Sequence, residues 1–418
     1  MKKHFFTLLF VISLCNVVAQ THTIEIHQNN RVASLLMSTE EYANWKSNDE
    51  FKDPAIREAL FKDIYKKFDD EFDFLFLILN EDEKPSDLPF GELIQVSNDV
   101  SGIGLSIFDN SSNYGSLGKL KAVMHLTRRD YLRSGPSLHE LMHNWGNFGI
   151  DTEGTFNGTD FFGFKPHWGV TGGNSKGQLG GFSQSTLIDN GSGSYSVESF
   201  GSFANGGNSI PYNQLELYTM GMIPITDVED FDVFTGISNT NFSGDPYTFN
   251  ASERTTYTSS SLETLLGQRV PSHTESQRNF RALIIVLTDS PLTTEQWDVV
   301  DDNSEKFSRT SSDFSPTYNF WEATNGLGTL KTDDLNTTLG IPDYTSTEKV
   351  GIYPNPTDDY IQLRGLENSE SYTISNLVGK NIVTGNIDNN EKIDVKHLKS
   401  GIYFISTETG TRMKFIKQ

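Results

Sequence analysis

Ser134-Gly-Pro-Ser-Leu-His-Glu-Leu-Met-His-Asn-Trp-Gly-Asn147 is the stretch on which the reading of the chain turns. Within it His139, Glu140 and His143 form an HExxH pattern. Residues four apart lie one above the other on a helix, so His139 and His143 can grip one metal ion between them. The flanks favour a helix, with Ser134 as its cap, Pro136 in its first turn and Gly146 or Gly149 as its terminator. Leu138, Leu141, Met142 and Trp145 follow the spacing of a buried stripe. At ~100° per residue the histidine pair sits well off the centre of that stripe, which counts against both rings merely filling a core. With 9 His and 55 acidic residues in 418, chance yields such a motif in roughly one chain in a hundred.

Length and charge bound what surrounds the motif. A chain of 418 residues can hold one large domain and a small one. The formal net charge of -22 argues against nucleic acid as a partner, because its phosphates would be repelled. Aromatic residues make up 12% of the chain, which together with 29 Phe and 35 Gly fits a folded, loop-rich protein. Residues 1–20 read as a secretory signal: Lys2 and Lys3, the apolar run Phe5 to Leu14, then a small-residue cleavage site at Val17-Val18-Ala19. Cys15 is the single cysteine and leaves with that signal, so the mature chain is expected to lack disulfides, thiolate ligands and a cysteine nucleophile. Bulky Leu14 before Cys15 disfavours a lipid anchor. No later stretch is long and apolar enough to predict a transmembrane segment.

Downstream of the signal, Thr23–Ile26 reads as a short strand, and Asp53-Pro54 opens a predicted helix to about Asp70 with Ile56, Leu60, Ile64 and Phe68 on one face. Phe74–Leu79 is an unbroken apolar run, the signature of a strand covered on both faces. Lys121–Thr127 predicts a strand just before the motif helix, where a peptide could be held by strand addition. His125 on that strand reads as a packed histidine. From Gly149 to Gly207 the chain is rich in Gly, Ser and Asn, so loops and short strands are expected, with Pro166-His167-Trp168-Gly169 as the landmark. Pro211–Met222 returns to helical spacing with Leu215, Tyr218 and Met222 as its stripe and Glu216 off it. Arg281–Thr288 predicts a buried strand, and Glu295–Phe307 and Asn319–Asn325 predict helices.

A boundary is expected over 342–349, between a first domain spanning 21–341 and a last one spanning 350–418. The last domain has short alternating strands split by Gly and Asn turns, consistent with a small β-sandwich. Ile352-Tyr-Pro-Asn-Pro356, Tyr372-Thr-Ile374, Gly379-Lys380, Leu398-Lys-Ser-Gly-Ile-Tyr-Phe404 and Met413-Lys-Phe-Ile-Lys417 resemble the type A C-terminal sorting domain of the type IX secretion system. That resemblance implies passage across an outer membrane, a secreted or cell-surface destination, and the secretion machinery as a partner.

The motif stretch itself resembles the HExxH zinc metallopeptidases, the zincins. The resemblance implies an α+β fold, in which a zincin-like metallopeptidase domain (a mixed sheet plus an active-site helix) precedes the small C-terminal sandwich. A catalytic zinc takes three protein ligands and keeps one position for water. His139 and His143 would supply two, and Glu140 would act as general base. The metzincin-like extension would put the third ligand at position 149, which is Gly149, although Gly146 matches that pattern's glycine. His167 is therefore placed first as third ligand and Glu216 second, with Asp151 and Glu153 also open. The block from His139 to Pro224, including His167-Trp-Gly, Gly177-Gln-Leu-Gly-Gly181 and Glu216-Leu-Tyr-Thr-Met-Gly221, is similar to a group of secreted bacterial HExxH proteins. Tyr212 and Tyr218 are available as oxyanion donors, but neither is assigned that role.

Two function classes follow. The first is a secreted zinc metallopeptidase hydrolysing extracellular protein or glycoprotein. The second is a catalytically silent surface binding protein or adhesin on the same scaffold. Glu140 separates them, since binding needs no base. Acidic clusters such as Asp298–Asp302 leave structural calcium open, without EF-hand spacing.

Overall fold

The computed structural model describes residues 22–146, 148–150, 152, 167–170, 174–200, 207–335, 351–366, 368–377, 379–408 and 412–418. The signal at 1–20, the boundary stretch 342–349 and the candidate ligands Asp151 and Glu153 lie outside the described residues. The chain divides into two compact units, Met1–Thr338 and Leu339–Gln418. It is a mixed α+β protein with several sheets.

The first unit is built on a seven-stranded sheet. Its order runs Thr23–Ile26, Val32–Leu36, Asn279–Thr288, Phe74–Leu79, Ala122–Leu126, Gly91–Gln95, with Thr329–Lys331 paired to one end of Asn279–Thr288. The four middle strands are parallel, and the two outermost run antiparallel to their neighbours. A parallel strand covered on both faces needs no polar alternation, which is why Phe74–Leu79 reads as a continuous apolar run. Phe74, Phe76 and Ile78 enter one core with Met124, Leu126, Ile284 and Val286. Leu75, Leu77 and Leu79 enter the opposite core with Val123, Leu283 and Ile285. Each such side chain, fully buried, stabilises the fold by roughly 1.5–3 kcal/mol.

Helices cover both faces. Tyr42 and Trp45 of Thr39–Ser47 and Leu60, Phe61 and Ile64 of Pro54–Ile64 pack into the second core. Asp53 caps the latter helix, its Oδ1 accepting from the Ala55 and Ile56 backbone N–H groups. The helix stops short of the expected Asp70 because Lys66 and Lys67 turn their N–H groups to Asp63 and Ile64, tightening the coil to 3₁₀ geometry. Ile56 is exposed there, while Leu60, Ile64 and Phe68 are buried. The first core is closed by Leu138, Leu141 and Met142, by Leu215, and by Trp297, Val300 and Phe307.

Strand Ala122–Leu126 is paired on both sides, so it has no free edge to receive a peptide. The expectation of strand addition there is corrected. Among the described residues the Gly91–Gln95 strand forms the edge on that side of the sheet. A smaller four-stranded sheet, ordered Ser238–Asn241, Tyr247–Asn250, Ser194–Val197, Ile188–Gly191, has its own apolar cluster with Val170, Phe182 and Phe234.

The second unit pairs a three-stranded sheet with a four-stranded one. Ile361, Leu363, Ile374, Ile393, Ile405 and Phe415 form its core. Two antiparallel sheets around one apolar layer make a small sandwich.

Candidate metal centre

The motif does not sit on one long helix. Tyr131–Ser134 and Ser137–Met142 are two short helices broken at Gly135-Pro136. Ser134 therefore caps nothing downstream; its Oγ instead bonds the Asp130 carboxylate at 2.6 Å. The start of the motif helix is satisfied from elsewhere in the chain. Buried Asn208 accepts from the Leu138 N–H at 3.0 Å and donates to the Leu132 and Arg133 carbonyls. Tyr212, whose hydroxyl donates to the Leu138 carbonyl at 2.9 Å, braces the same turn. At the other end His143 keeps helical backbone angles, and Gly146 closes the turn onto the Met142 carbonyl. The histidine pair thus stays one turn apart, with ring centroids 4.6 Å from each other.

His167 completes a group. One ring nitrogen from each of His139, His143 and His167 lies within 4.8 Å of the other two. The Nε2 atoms of His139 and His167 are 3.3 Å apart. Two nitrogens held at ~2.0–2.1 Å by a tetrahedral ion stand about 3.3–3.4 Å apart, so this spacing suits zinc. His139 Nδ1 lies 2.6 Å from the Gln178 carbonyl oxygen. A carbonyl can only accept, so that nitrogen carries the proton and Nε2 keeps its lone pair for the centre of the cluster.

The electrostatics of the motif pair agree with neutral imidazoles. Burial, then His167, pushes the His139 imidazolium down to about 3, and burial, then His139 and His167, holds His143 well below the usual histidine range. Neutral imidazole is the form that binds a metal. Buried Glu140 is pushed up to about 8 by burial, with the Glu92 carboxylate adding to it. A cation beside it would draw that value back toward neutrality. Glu140 packs on the edge strand at Gly91, where an added Cβ would come within 2.8 Å of its Cγ. Gln95 on the same strand donates to the Asn144 carbonyl at 2.9 Å, fastening the edge to the end of the motif helix.

Glu216 is not part of the group. Its helix Gln214–Met220 is capped by Asn213, and its side chain is fully buried rather than solvated. Its oxygens accept from the backbone N–H groups of Leu179, Asn213 and Gln178 and from Trp168 Nε1. Burial pushes its carboxyl up to about 7 against these donors, and four N–H groups aimed at two oxygens favour the carboxylate form. His125 is a buried packing residue that accepts from Trp45 Nε1 at 3.1 Å. Along helix Thr294–Ser308, Asp301 turns to Asn29 and Arg31 and Asp302 to Lys306. Among the described residues the histidine triad is the group of His, Cys, Asp or Glu that converges.

Comparison with known proteins addresses the second unit. Residues 351–418 match the family model of the secretion system C-terminal sorting domain. That segment is a type IX sorting domain. The chain carrying it is secreted and surface-attached, and the sorting domain engages the type IX machinery. Among the described residues no helix is long and apolar enough to cross a membrane. No curated protein matches the chain.

Three contributors to the centre were missed from sequence. Gln178 acts through its backbone carbonyl, the edge strand Gly91–Gln95 is short and begins on a glycine, and Asn208 caps a helix 70 residues away. The unusual Gly177-Gln-Leu-Gly-Gly181 run was the available clue to the first.

Proposed function

We propose that the first unit is a secreted zinc metallopeptidase acting on extracellular protein or glycoprotein. The observation that carries the reading is the convergence of His139, His143 and His167, with buried Glu140 directly following His139 in the chain. Such a set fits zinc, which takes neutral imidazoles and leaves a position for water. Bound there, zinc would supply Lewis acidity, acidifying a water and polarising a peptide carbonyl.

The chain's own groups account for the rest. Glu140 Oε1 or Oε2 takes a proton from the attacking water and returns it to the leaving amine nitrogen. Its buried setting brings its proton affinity near neutral pH, where acceptance and release are both accessible. Edge strand Gly91–Gln95 can pair with an extended peptide through its outward N–H and C=O groups, laying the substrate beside Glu140. These features support a zincin-like architecture. The competing binding-protein reading has no use for a buried acid adjoining a ligand in the chain.

The test is metal analysis together with casein and mucin hydrolysis by the secreted chain and its Glu140→Ala and His167→Ala variants. Full turnover by Glu140→Ala would refute the mechanism. Zinc-loaded wild-type protein with no hydrolysis of any protein tried would favour the binding-protein reading.

A further inference from the structure

We infer that Glu216 is a positioning residue for the histidine cluster, acting on His139 through the single peptide group between Gln178 and Leu179. The inference rests on the proposed metal centre and says what holds that centre in shape.

The two ends of this peptide face different partners. Its N–H, on Leu179, donates to Glu216 Oε1 at 2.7 Å. Its C=O, on Gln178, accepts from His139 Nδ1 at 2.6 Å. A carboxylate on the N–H end polarises the amide and makes the carbonyl a better acceptor, a cooperative gain of ~10–30% per bond. The chain Glu216, peptide, His139 therefore fixes the ring's tautomer and its rotation together.

Glu216 also reaches the second ligand carrier. Its Oε1 accepts from Trp168 Nε1 at 3.1 Å, and the Trp168 backbone N–H donates to the Leu179 carbonyl at 2.9 Å. Trp168 directly follows His167. One buried carboxylate thus ties together the loops that bring His167 and the His139 acceptor. The approach is tight enough to dictate a glycine: a Cβ on Gly177 would lie 2.4 Å from Glu216 Oε2.

Helix capping alone does not explain this placement. Glu216 does close a capping box with Asn213. An exposed residue can cap a helix equally well, whereas sequestering a carboxylate from water costs far more than a cap returns until its donors offset it. Only the contacts to Gln178, Leu179 and Trp168 need the burial.

The experiment compares zinc affinity of the full secreted chain and its Glu216→Gln variant by competition with a chromogenic chelator, alongside thermal unfolding of both metal-free forms. An amide can satisfy one pair of donors but presents its own N–H₂ to the other. The expected result is zinc bound 10–100-fold more weakly by a folded variant. A folded variant within threefold of wild type would overturn the inference, because a purely structural glutamate lowers stability without touching affinity. If that variant does not fold, Glu216→Asp, which keeps the charge but withdraws it from the Leu179 N–H, takes its place: zinc bound at least tenfold more weakly upholds the inference, and affinity within threefold of wild type overturns it. Wild-type protein that takes up no zinc would instead sink the metal centre itself, a separate failure.

Discussion

His139 Nε2 and His167 Nε2 stand 3.3 Å apart although 28 residues separate them in sequence. With His139 Nδ1 already donating to Gln178, its Nε2 offers a lone pair to the space it shares with His167. Two ring nitrogens this close to one another are stabilised by a shared cation or proton, and the third imidazole alongside favours the cation.

Ligand and base should therefore separate cleanly on mutation. His167→Ala is expected to drop bound zinc from about one per chain toward none, and activity with it. Glu140→Ala is expected to keep zinc while losing ~10²–10⁴-fold in turnover. Metal content and casein hydrolysis measured on the same preparations check both, and normal zinc in His167→Ala would remove that residue from the ligand set.

Gly91 offers a subtler perturbation. A methyl there would come within 2.8 Å of Glu140 Cγ and 3.0 Å of its Oε1, with Pro136 at 3.0 Å blocking retreat. Gly91→Ala is expected to displace the base by a fraction of an ångström to an ångström, lowering kcat ~10–100-fold with zinc content unchanged. Unaltered kcat would mean that the carboxylate has room to move and that its contact with the edge strand is incidental.

Much of the frame was legible because its signals are local. The unbroken run Phe74–Leu79 announces a strand buried on both faces, and the i, i+4 histidines stay one turn apart even though the helix carrying them is only Ser137–Met142. The sorting domain's strands are written in short alternations between turns. What stayed hidden depends on distant partners. Ser134 looks like a cap by type, yet Gly135-Pro136 divides the helices and Asn208 supplies the missing acceptor. Glu216 sits off an apolar stripe, which ordinarily means solvent, but the loop carrying Gln178 folds over it. A backbone carbonyl such as that of Gln178 has no residue type to betray it.

His125 should govern part of the chain's acid sensitivity. Burial pushes its imidazolium down from 6.5 to about 4. Above about pH 6.5 native and unfolded chains are both neutral at this residue; as pH falls toward 4 the unfolded chain takes up a proton that the native site refuses. Stability is thus lost on acidification through that window, by up to ~3 kcal/mol. His125→Gln, which keeps an acceptor for Trp45 Nε1, should flatten this portion of the curve in urea unfolding of metal-free protein between pH 7 and 4. An unchanged slope would mean that His125 is hydrated in the native state.

The sorting domain should be separable from the chemistry. Its apolar core, with Ile361, Ile374, Ile405 and Phe415, is its own, and recognition by the secretion machinery is expected to need that sandwich folded. Removing residues 351–418 is expected to leave the rest of the chain inside the outer membrane, still able to bind zinc once released from the cells. Ile374→Asp should do the same by a different route, because a carboxylate in that dry layer costs several kcal/mol and a small sandwich has little stability to spare. Fractionation of expressing cells, with zinc uptake assayed on the retained protein, checks both variants. Normal surface display of either would mean that export is addressed by residues outside this domain.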